Sequence, residues 1–143
     1  MPLHIIKLCV GCDSLTELAD WQKKRLKEKR AKGQKPELIH VTRMTPKRAD
    51  EILAGGSLYW VIKGNVQVRQ RLLDIRPFVD KEGISRCRLV LEPKLVPTDW
   101  QPKRAFQGWR YLEPNDVPAD LNDNVNGDLP PKLRADLAEL GLR

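Results

Sequence analysis

Apolar positions along this chain switch between the two-residue period of strands and the 3.6-residue period of helices, and the switches mark a series of elements. Leu3 to Cys9 is an apolar run of strand length. Ser14 followed by Glu17 is a capping-box signature, which predicts a helix over 15–30 with Leu15, Leu18, Ala19, Gln22 and Leu26 on one stripe and Trp21 near its edge. Gly33 and Pro36 end it. Ile39 to Thr42 reads as a second strand. Thr45-Pro46 then opens a short helix, with threonine as its cap and Ala49, Ile52 and Leu53 inward, and Gly55-Gly56 stops it.

Residues 57–75 carry the clearest alternation in the chain. Gly64-Asn65 between two β-prone runs predicts a hairpin with a type II′ turn, in which Trp60 faces Arg69 and Leu58 faces Arg71. That register puts Tyr59, Val61, Val66 and Val68 on one face. Trp60, Gln67, Arg69 and Arg71 share the other. Ile84 to Leu91 returns as a third consecutive strand, with Arg86 and Arg88 on one face. Prolines 93, 97 and 102 predict an irregular crossing before a last strand over 107–112. From Glu113 to Asp128 the chain is rich in Pro, Asn and Asp. A short helix then carries Leu133, Leu137 and Leu140 on one stripe.

This order predicts an α+β fold: a small, twisted, mostly antiparallel sheet or pseudo-barrel with two or three helices. Residues 1–112 form the core domain. Residues 113–143 form a connection and a C-terminal helix that packs on the core or on a protein partner.

Composition narrows the function. The chain has 143 residues, 41% hydrophobic and 31% charged, which is ordinary for a globular protein. His4 and Lys7 interrupt the apolar start, so it is not read as a signal peptide, and no run reaches the roughly 18 apolar residues of a spanning helix. A cytoplasmic location without membrane association is the expectation. The net charge is +7, yet residues 23–35 hold eight basic residues and one acidic, and the rest of the chain has 18 of each. The whole excess therefore sits in one helix and its end, a localised field suited to an anionic partner.

The candidate chemistry follows from these two features. Trp60 beside Gln67, Arg69 and Arg71, extended by Arg86 and Arg88, would form a surface that stacks on bases and holds phosphates. Lys24, Lys27 and Arg30 of the basic helix would add affinity. The competing reading is that Trp60 belongs to the core and the arginines pair with carboxylates. Cys9 and Cys12 form a single C-x-x-C with neither a second pair nor a thioredoxin-like context, and are read as small buried hydrophobes. No metal and no cofactor are expected. A Cys–His pair with His40 lacks an orienting group, and no phosphate loop or hydrolase motif is present.

Five stretches resemble the small alphaproteobacterial proteins grouped as domain of unknown function 1489: residues 3–8, 40–53, 55–64 (Gly-Gly-Ser-Leu-Tyr-Trp-Val-Ile-Lys-Gly), 69–78 (Arg-Gln-Arg-Leu-Leu-Asp-Ile-Arg-Pro-Phe) and 106–112. A strand, a short helix ending in Gly-Gly and basic strands are also similar to the start of PUA-like and ASCH-like domains, although the ASCH glycine-lysine-glutamate signature is missing. That likeness implies RNA or modified-base binding, or in a few cases a small hydrolase. Together these features point to a non-enzymatic binder of RNA or single-stranded nucleic acid. The alternatives are a hydrolase acting on a base-like or nucleotide-derived substrate in a PUA-like cleft, and a protein-interaction scaffold.

Overall fold

The computed structural model describes residues 2–121. Among them, seven strands form one open, mostly antiparallel sheet: β1 (His4–Leu8), β2 (Leu38–Thr42), β3 (Ser57–Ile62), β4 (Asn65–Val79), β5 (Ser85–Leu91), β6 (Val96–Pro102) and β7 (Trp109–Leu112). The path runs β2-β5-β4-β3-β1-β7, and β6 pairs with the first half of β4. Two α-helices accompany it, α1 (Leu15–Ala31) and α2 (Ala49–Leu53). β2 and β7 close the path at its two ends without meeting, so the sheet is open. The expected C-terminal helix lies outside the described residues.

The local signals explain most of the elements. Ser14 caps α1, its hydroxyl accepting from the Glu17 amide at 3.1 Å, while the Glu17 carboxylate accepts from the Asp13 amide at 2.6 Å. Leu18, Gln22 and Leu26 turn inward from α1 onto a core that includes Leu58, Trp60, Ile62, Val68, Leu72 and Leu89. A smaller cluster of Ile6, Tyr59, Val61, Val66 and Leu112 covers the other face of the sheet.

Three expectations need correction. α2 begins at Ala49, not at Thr45-Pro46. The Arg48 amide that a cap would serve donates instead to the Tyr111 hydroxyl at 3.1 Å, and the Trp109 indole donates to the Met44 carbonyl at 2.7 Å. Tertiary partners thus hold residues 44–48 out of the helix. The proline-rich crossing contains a real strand, β6, which pairs with β4 along one edge and bridges through Thr98 to Asp120 on the other, where the Pro97 carbonyl accepts from the Leu121 amide at 3.0 Å. Finally, β1 lies between β3, to which it runs parallel, and the antiparallel β7, a non-local arrangement that a simple meander lacks.

The start of β3 against β1 is the tightest junction. A Cβ on Gly56 would sit 2.1 Å from the Leu3 carbonyl oxygen and 2.5 Å from that of Ile52. Only glycine allows α2 to end and β3 to begin this close to the chain entering β1.

Candidate nucleic-acid interface

The hairpin turns one residue earlier than the sequence pattern suggests. Lys63 and Gly64 both have positive φ, 49° and 79°, which makes them the central pair of a type I′ turn instead of the II′ turn at Gly64-Asn65. That turn sets Val61 against Val66 and by itself would keep the faces, yet Tyr59 faces Arg69, Leu58 faces Gln70 and Trp60 faces Val68. The cause is a bulge at Trp60/Val61, where Gln67 is the extra residue, which leaves a net slip of one residue from the expected register. A slip of one residue exchanges faces. Trp60 moves to the core with Val68, and the proposed grouping of Trp60 with Arg69 and Arg71 is not formed.

Each of those residues has a definite place. Trp60 is 3% exposed, stacked edge-on against His40 at 5.2 Å between ring centroids, and its indole N–H donates to Gln70 Oε1 at 3.0 Å. Gln67 is buried and donates to the Ile62 carbonyl at 2.8 Å. Arg69 grips Asp120 with two bonds of 2.7 Å and reaches the Ser57 hydroxyl at 3.1 Å. Arg71 is exposed and lines, with Arg69, a cavity of about 370 Å³. Arg86 pairs with Asp80, and the Arg88 guanidinium lies 3.8 Å from the centroid of the Phe78 ring. Asp74 pairs with Arg76 at 2.8 Å.

Arg69 and Arg71 also lie on the face of the sheet opposite α1. Gln70, between them in the strand, exchanges two hydrogen bonds with Gln22 of α1, at 3.0 and 2.9 Å. Alternation then sends its neighbours the other way. The basic helix and the hairpin arginines are two separate surfaces.

The aromatic partner that the hairpin lacks is present on α1. Trp21 is 49% exposed, and the Arg25 guanidinium sits 4.4 Å from its ring centroid. Spacing of four residues puts the two on neighbouring turns. Lys23, Lys24, Lys27 and Arg30 are exposed along the same helix. Among the described residues, none of these cations or Arg25 has a carboxylate within ion-pairing distance, whereas Arg48, Arg69, Arg76 and Arg86 all do. The sequence pattern held a sign of this in the Trp21/Arg25 spacing. An indole at the margin of an apolar stripe reads equally well as core.

The remaining chemical groups are held quiet. Cys9 and Cys12 pack against the main core, and burial together with the neighbouring Cys12 thiol pushes the Cys9 thiol up to about 12. Cys12 donates to the Ser14 carbonyl at 3.0 Å. Burial, with Lys7 and Arg25 nearby, pulls the His40 imidazole down to about 4. His4 is lowered by burial and by Arg69, and its Nδ1 accepts from the Ser57 amide at 2.9 Å. No group of three potential metal-binding side chains occurs among the described residues. None of the described helices is long and apolar enough to cross a membrane.

Fold and surface together define a small mixed α/β protein in which an exposed indole and a row of cations without carboxylate partners among the described residues share α1. The chain belongs to the family described as protein of unknown function DUF1489, which matches residues 5–143. No curated protein and no solved structure matches it.

Proposed function

We propose that this protein binds RNA or single-stranded nucleic acid, and that α1 is the binding face. The observation that carries the reading is the exposed Trp21 indole beside a row of cations without carboxylate partners among the described residues. Lys24, Lys27 and Arg30 would take phosphates, and the open side of Trp21 would take a base. A stacked base contributes about 1–3 kcal/mol, and stacking suits single strands because their bases are free to unstack. The buried Trp60 and Gln67 belong to the scaffold in this reading, and the PUA-like resemblance supports it at the level of fold class alone.

The hydrolase alternative calls for a cleft holding Lys63 or His40 beside a carboxylate. Lys63 is an exposed turn residue, and His40 lies half-buried, edge-on to Trp60. The binding reading is therefore the better supported one. Fluorescence anisotropy with a short single-stranded RNA, compared between wild type and Trp21→Ala, tests it directly. Loss of affinity without loss of fold is the expected result, and unchanged affinity would remove the stacking role.

A further inference from the structure

Opposite α1, the return from β5 to β6 opens a second, differently built site. Leu91 pairs with Leu72 and Val96 with Arg69, so four residues, 92–95, span the gap that residues 70 and 71 fill on β4. The excess chain bows away from the sheet. Pro93 and Leu95 turn towards α1, beside Leu26 and Leu38. Glu92, Lys94 and Val96 line the cavity of about 370 Å³ with Gly55, Arg69 and Arg71.

We propose that this cavity binds a phosphate monoester carried on a sugar, either a free sugar phosphate or the phosphorylated end of a strand. Arg69 is fixed in place by Asp120 and Ser57, which use three of its five N–H groups and leave two for a ligand. Arg71 and Lys94 make no side-chain hydrogen bond or ion pair with another described residue. A phosphate dianion suits that set: guanidinium groups match its oxygens in pairs, and holding one guanidinium in advance lowers the ordering cost of binding. The volume lies at the small end of small-molecule sites, with space beyond a bare phosphate. No aromatic ring lines it, so it offers no base platform, while the Glu92 carboxylate is an acceptor for a sugar hydroxyl.

This site goes beyond the α1 reading and is separable from it. Isothermal titration at low salt would use inorganic phosphate, ribose 5-phosphate, and a short RNA with either a 5′-phosphate or a 5′-hydroxyl. Ribose 5-phosphate should bind saturably and more tightly than inorganic phosphate. Arg71→Gln and Lys94→Gln, both exposed and expected to melt as wild type, should each weaken it about tenfold, the loss of one charged hydrogen bond. A variant with Lys24, Lys27 and Arg30 all changed to glutamine should bind it normally, even if RNA binding fails. Preference for 5′-phosphorylated over 5′-hydroxyl RNA in the triple variant assigns the site to strand ends, and equal weak binding of both assigns it to free sugar phosphates. Absence of saturable ribose 5-phosphate binding at millimolar concentrations, or binding indifferent to both cavity variants, would overturn the proposal.

Discussion

The Trp60 indole and the Gln70 amide are joined by a 3.0 Å hydrogen bond in the middle of the core. Gln70 is wholly buried, and its amide also exchanges bonds with Gln22 and donates to the Glu92 carbonyl at 2.9 Å. One glutamine thus ties β4 to β3, to α1 and to the chain leaving β5. The network satisfies the polar end of the tryptophan, which is the usual requirement for burying one. It also fixes how α1 sits on the sheet.

Trp60→Ala should destabilise the protein by about 3–5 kcal/mol, the range for truncating a large buried aromatic. Gln70→Leu should cost about 1–3 kcal/mol for each buried group it strands, namely the Trp60 N–H and the Gln22 amide. Adding Gln22→Leu removes one of those orphans, so the double variant should lose less than the sum of the singles. Urea denaturation of the four variants measures the coupling. Strict additivity would mean that the amide pair contributes nothing.

Gly56→Ala should be among the most damaging single-atom additions available. The added carbon meets backbone oxygens of Leu3 and Ile52, neither of which is the end of a flexible side chain. A loss at the upper end of the about 1–3 kcal/mol typical of overpacking, or beyond it, is expected. Gly64→Ala meets no atom and should cost only its positive φ. Thermal melts of the two variants should differ clearly, and equal melting temperatures would contradict the close junction.

The half-buried His40 makes stability depend on acid. Its folded-state value of about 4 lies below the ordinary 6.5, so the unfolded chain takes the proton first. Its contribution is complete above about pH 6.5 and is lost as pH falls towards 4, by up to about 3 kcal/mol. His4, also lowered, acts in the same direction. His40→Phe, which keeps an aromatic edge on Trp60, should flatten the fall in melting temperature between pH 7 and pH 4. A profile as steep as wild type would assign the acid sensitivity elsewhere.

Strands, helices and the cap at Ser14 were legible because each is written in local spacing and residue type. The hairpin register was not. Gly64 serves a II′ turn as its first residue or a I′ turn as its second, and the choice rests on whether Lys63 accepts a positive φ. That choice alone moves each partner by two residues and keeps the faces; the bulge at Gln67 is what puts the indole of Trp60 among Leu58, Val68 and Leu72. The extra residue, Gln67, which makes the net slip odd, moved the whole proposed binding face. β6 was hidden by its prolines, and the parallel β1–β3 pair by its distance in sequence. The basic helix was legible, since charge needs no tertiary contact to be read. Lys94 entered a site through a bowed strand connection, and Asp120 through a segment after β7 that bridges to Thr98, and neither leaves a mark in local pattern.

The central claim is that α1 supplies the contacts to nucleic acid, and the salt dependence of single-stranded RNA binding tests it most directly. Affinities of wild type and of the Lys24→Gln/Lys27→Gln/Arg30→Gln variant would be measured by anisotropy over a range of salt concentrations. Three lost phosphate contacts should weaken binding at low salt and reduce the slope of log K against log salt by about 2. Melting should stay unchanged, because these side chains are exposed and make no ion pair among the described residues. A wild-type protein without affinity for RNA at low salt, or a variant with the wild-type slope, would contradict the account.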